Sequence, residues 1–269
     1  MRPFLQLART AVTGAAVAAV LSSTASAGYQ ARRTAGGKPD VSGIWQALGT
    51  AHWDIEGHAA RPGAVVALGA VGAVPAGLGV VEGGAIPYQP WAAEKKKENF
   101  KNWLTADPEI KCYLPGVPRA TYMPFPFQIV QTPKQILITY EFASASRIVH
   151  MDRPDLESPI DTWMGHSRGR WEGETLVVDV TSFNDQTWFD RAGNFHSDAL
   201  HVVERYTATS PDALRYEVTI EDPKVFTRPW KMSMPLYRRL EKNVQLLEFK
   251  CVEFVEELSY GHLRKKGNR

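Results

Sequence analysis

From residue 127 onward, apolar and polar side chains alternate in short runs. This period-two pattern predicts strands over 127–130, 135–142, 146–151, 169–172, 175–180, 201–207, 214–220, 230–236 and 246–253. Turn signals such as Glu172-Gly173 and Ser210-Pro211-Asp212 separate them. Many of the runs are β-branched or aromatic, which suits a pleated, half-buried surface. Asp40 to Trp45 predicts a first strand ahead of this block. No strand–helix alternation supports a parallel sheet, and no repeat indicates a propeller. The pattern therefore predicts a mainly β fold: an antiparallel up-and-down barrel or a strongly curved sheet.

Residues 41–126 read differently. They predict an irregular N-terminal segment with one short helix, packed with 127–263 as a single domain. The helix is predicted over 91–104, where Trp91, Phe100, Trp103 and Leu104 mark one face and Pro108 ends the region. Pro115, Pro118, Pro124 and Pro126 make 114–127 extended. From Gly63 to Val81 there is no charged residue. That length tempts a membrane assignment, but five glycines and Pro75 weaken a helix. A glycine-rich loop or short helix on the body is predicted instead, and a lid over a pocket is one reading of it.

The first 27 residues predict a signal peptide. Arg2 and Arg9 precede an apolar run from Ala11 to Leu21, and Ala25-Ser26-Ala27 fits a cleavage site before Gly28. The expected destination is the periplasm or the extracellular space, with no stable membrane span in the mature chain. Residues 28–40, polar and basic, are expected to be a disordered leader. Composition is ordinary for a globular chain, at 44% hydrophobic and 22% charged. Removing Arg2 and Arg9 with the leader balances the 31 basic and 29 acidic side chains. Nothing electrostatic points to nucleic acid, whose binders need a basic face. Export makes a disulfide between Cys112 and Cys251, the two cysteines, the expected state.

Chemistry concentrates between Asn184 and Tyr206, on a long connection and the strand after it. The connection carries Asp190, His196 and Asp198, and long ordered connections are often functional. On the strand, His201, Val203 and Arg205 share one face, while Val202, Glu204 and Tyr206 share the other. Either face buries a charge, so an interior polar network is expected. His196 or His201 with Asp190, Asp198 or Glu204 would form an acid–base pair, with Tyr206 as a proton donor and His166 as a further candidate. A network that only closes the barrel is the competing reading. Trp163, Trp171, Trp188 and Phe189, with Arg205, are candidate pocket residues, while Asp222 reads as a turn group. His166, His196 and His201 also suggest a metal set, but their spacing fits no zinc motif. Ser167 lies in a Gly-x-Ser-x-Gly string without the strand–turn–helix context of a hydrolase elbow. No dinucleotide fingerprint or phosphate loop is present, so no cofactor is expected.

Three segments carry a resemblance: Trp163 to Asp179, Trp188 to Tyr206, and Glu221 through Trp230. They resemble a group of exported, largely uncharacterised bacterial proteins, and that resemblance implies export and a β-rich fold. Gly43-Ile44-Trp45 also resembles the first-strand signature of lipocalin-type barrels. The leading expectation is an exported enzyme performing metal-independent acid–base chemistry on a small hydrophobic or aromatic molecule, as a lyase, isomerase or hydrolase. The alternatives are a periplasmic carrier of a hydrophobic ligand and a metal-dependent hydrolase using the histidines.

Overall fold

The computed structural model describes residues 29–264. The expected signal peptide lies outside the described residues. Nine strands close into one barrel in chain order. They are β1 (Gly43–Ala47), β2 (Phe127–Gln131), β3 (Gln135–Tyr140), β4 (Ser146–His150), β5 (His166–Glu172), β6 (Thr175–Thr181), β7 (His201–Ser210), β8 (Ala213–Glu221) and β9 (Trp230–Arg238). The predicted mainly β barrel is thus present. One joint departs from the up-and-down pattern: β4 and β5 run parallel and pair only at Val149–Ser167 and His150–Arg168. The connection between them must return along the barrel, as parallel neighbours require.

Inward positions alternate as the pattern predicts. Val202, Glu204 and Tyr206 are buried on β7, and Leu214, Tyr216, Val218 and Ile220 on β8. Trp45, Phe127, Ile138, Tyr140, Val178 and Met232 join the same core, so large side chains fill the interior.

The chain between β1 and β2 builds a cap over one end. It contains helix α1 (Pro90–Lys101), two one-turn helices, α2 (Trp103–Ala106) and α3 (Arg119–Tyr122), and a 3-10 helix at Val66–Gly72. All four residues of α3 are buried. Thr121 Oγ1 comes within 3.5 Å of the Tyr140 hydroxyl inside the barrel. Arg119 pairs with Asp107 through both terminal nitrogens, at 2.8 and 2.9 Å. Asp107 and Arg119 are buried together, which keeps two desolvated charges paired. The uncharged stretch, expected as a glycine-rich loop or short helix, holds the 3-10 helix at Val66–Gly72 and turns back on the preceding chain through antiparallel bridges at Arg61–Val74 and His58–Gly77. His58 and Gly77 exchange backbone hydrogen bonds of 2.9 Å, and a side chain at Gly77 would come within 2.2 Å of Thr50 Oγ1. Glycine leaves room there for the Thr50 and His58 side chains.

Two expectations are corrected. Residues 246–253 form no strand. A strand needs a free sheet edge, and pairing of β1 with β9 closes the barrel before this segment arrives. It crosses the surface instead: Phe249 packs on Phe125 and Phe142, and Cys251 is bonded to Cys112. The expected disulfide is therefore present, followed by helix α4 (Val255–Arg264). Secondly, the stretch expected as a disordered leader is ordered from residue 29. Arg33 bridges Pro39, Ala31 is buried, and Gln131 accepts from the Val41 amide and donates to the Pro39 carbonyl. Buried apolar contacts and backbone pairing repay the ordering cost that its polar composition concealed. Among the described residues, no helix is long and apolar enough to cross a membrane.

Candidate active site

The expected interior network exists, and its centre is an ion pair. Glu204 on β7 faces Arg147 on β4, with contacts of 2.6 and 2.9 Å. The Glu204 carboxylate also accepts from the hydroxyls of Tyr206, at 2.9 Å, and Tyr216, at 2.6 Å. Arg147 donates further to Tyr140 Oη and Ser167 Oγ. Burial, then the Glu204 charge, pushes the Tyr206 and Tyr216 phenols well above their ordinary value, so both stay neutral donors. Ser167 is buried in this network, on a strand rather than a nucleophile turn. The group is sealed and mutually satisfied, which is the chemistry of a barrel closure.

The histidines do not join it. His201 lies on the outer face, with Nε2 3.0 Å from Asp179 and Nδ1 3.4 Å from Glu221. The Asp179 hydrogen bond raises its pKa. His196 is buried, its Nε2 2.6 Å from Thr187 Oγ1 and its Nδ1 2.8 Å from the Ser197 carbonyl. Burial lowers its pKa and favours the neutral ring. His166 stacks on His150 with ring centres 5.5 Å apart. Among the described residues, no three His, Cys, Asp or Glu side chains converge to hold a metal. Asp198 pairs with Lys224 at the surface. Trp163 packs on Tyr113, Trp188 bridges Phe195, Phe189 is buried in the core, and Arg205 pairs with Glu172 outside the barrel. Asp222 accepts from the Ser197 and Lys224 amides, as a turn group should.

Asp190 leads to a different place. It is fully buried and accepts from the amides of Ile55, Ala192 and Asn194 and from Asn194 Nδ2, at 2.6–3.2 Å. The Arg191 amide donates to the His52 carbonyl. The long β6–β7 connection thus clamps the turn over residues 50–56. That turn presents Asp54, which is 8% exposed, to a cleft of about 380 Å³. Ala47, Leu78, Val80, Tyr122 and Met234 supply most of its apolar wall. The volume suits a small molecule.

The cleft has a topological origin. β1 pairs with β9 at Leu236, Tyr237 and Arg238, while the glycine-rich segment takes over below, through Ser233 N to the Val80 carbonyl and Glu82 N to the Lys231 carbonyl. Between these two partners lie Met234 and Pro235, and proline has no N–H to pair.

The electrostatics distinguish this carboxyl from the others. Burial raises the Asp54 pKa against the opposing pull of Lys96. Burial and then the Asp54 charge push Asp190 up to about 7. Tyr88 donates to Asn194 at 2.9 Å, and Asn194 to Asp190, which fixes the clamp from behind. Two neighbouring carboxyls with raised pKa values, one lining an apolar cleft, are equipped for proton transfer. The sequence pattern pointed to Asp190 only as a partner of His196 or His201, whereas its partners are Ile55, Ala192 and Asn194; it left Asp54, in a Trp-Asp-Ile-Glu string of an irregular segment, unmarked. No protein-family model, curated protein or solved structure matches this chain.

Proposed function

We propose that this chain is an exported enzyme performing acid–base chemistry on a small, largely apolar molecule. Asp54 exchanges the proton with the substrate, and Asp190 positions the Asp54 turn. The observation that carries this reading is a nearly buried carboxyl at the wall of an apolar cleft. An apolar ligand entering the cleft displaces water and further favours the protonated acid. Deprotonated Asp54 accepts a proton from an activated carbon or water, and the protonated form returns it to the leaving oxygen. Lyase, isomerase and hydrolase chemistry share these two steps. Export is supported by the leader pattern and by the disulfide.

A turnover screen tests the reading. The full chain is incubated with small apolar lactones, aryl esters, epoxides and β-hydroxy ketones, followed by mass spectrometry. One class is expected to turn over. Asp54→Asn should then lower kcat/KM by about a hundredfold or more, while His201→Ala leaves it unchanged. Turnover that survives Asp54→Asn overturns the assignment. The apolar lining also favours a second reading, carriage of a hydrophobic ligand. That reading predicts stoichiometric ligand binding in both proteins and turnover in neither.

A further inference from the structure

At the opposite end of the barrel the partial β4–β5 pairing leaves a second cleft. β4 stops at His150, and β5 continues to Glu172 without it. The ordered stretch after residue 29 crosses this mouth, and a cavity of about 500 Å³ remains between it and β5. Trp171, Met151 and Pro133 form apolar walls, while Thr132, Lys38 and Arg170 supply polar groups. Trp171 and Met151 also pack on the barrel core, so the indole is held rather than free.

Charge at this rim is unbalanced. Glu172 is shared by Arg170, at 2.7 Å, and Arg205, at 2.9 Å. Glu174 is taken by Arg33. Lys38 makes no ion pair through its ammonium among the described residues. A cation with no anion of its own, beside a fixed indole face and a proline, is a recognisable arrangement. It favours a flat apolar ring that stacks, with a negative group that reaches the ammonium.

We propose that this cleft binds a planar aromatic molecule carrying one carboxylate or equivalent anion, at a site separate from the Asp54 cleft. The ring lies against Trp171 and Met151, and the anion faces Lys38.

Isothermal titration of the full chain with naphthalene carboxylate and with uncharged naphthalene methanol tests this. The carboxylate is expected to bind at one equivalent, about fivefold or more tighter than the alcohol, which is the scale of one exposed charge contact. Lys38→Glu should abolish that preference and leave alcohol binding unchanged. Ala35→Trp, at an exposed position lining the cleft, should weaken both ligands by filling it. Absence of saturable binding overturns the proposal. So does carboxylate binding that persists in both variants, or that is lost on Leu78→Trp instead, since Leu78 lines the Asp54 cleft. Neither ligand requires turnover, so failure here is distinct from failure of the acid–base reading.

Discussion

Glu204 and Arg147 show what a single residue carries in this barrel. Both charges are buried, so removing one partner strands the other. Glu204→Gln should destabilise the protein by about 3–5 kcal/mol, measured by urea unfolding. A loss below about 1 kcal/mol would mean that water reaches the pair. Half of this network was legible: alternation on β7 grouped Val202, Glu204 and Tyr206 on one face and required a buried charge on either, and the structure turns the Glu204 face inward. Its partner was not, because β4 buries Arg147 and leaves Ile148 46% exposed, the reverse of what polarity suggests. Asp54 was illegible for another reason. Its environment arises from three distant segments, and no local pattern marks that meeting.

His52 gives a prediction in pH. Burial, followed by the Arg191 charge, lowers its pKa from 6.5 to about 4. In the unfolded chain the imidazole protonates near 6.5; in the folded chain it resists to about 4. Stability contributed by the neutral ring is therefore full above 6.5 and is lost as pH falls through that window. Wild type should lose on the order of 2–3 kcal/mol more than His52→Gln between those pH values, by urea unfolding at each. Parallel losses in the two proteins would remove His52 from the account.

At the scale of elements, the strands were the most readable part. Eight of the nine runs predicted after residue 126 coincide with β2 to β9, apart from shifts at their ends. The ninth failed because strand pairing is a property of the sheet, which had no edge left to offer. The segment over 246–253 depends on the disulfide instead. Cys112 and Cys251 are 139 residues apart, and closing such a loop is worth about 5 kcal/mol on the chain-entropy model. The affected element is surface chain rather than barrel. Cys251→Ser should therefore make residues 240–264 the first site of limited proteolysis, while far-ultraviolet circular dichroism keeps the barrel signal. Unchanged protease resistance would show that Phe249 and the Arg191–Glu256 contact of 3.0 Å hold the segment alone.

The whole molecule separates two tasks. A filled barrel, stapled by a buried ion pair, supplies rigidity. The cap, built from the chain between β1 and β2 and from the β6–β7 connection, supplies the cleft. Fold class was legible because period two is a local property. The cleft was not legible, since it exists where β9 changes partners; Asp190 stood out in the sequence only as a possible histidine partner. Asp54 is the residue on which the functional account turns. Carbon-13 NMR of its carboxyl through a pH titration tests that most directly. The expected midpoint lies above the ordinary 3.8 and moves higher when a small apolar ligand fills the cleft. A midpoint at or below 3.8, unmoved by any such ligand, would contradict it.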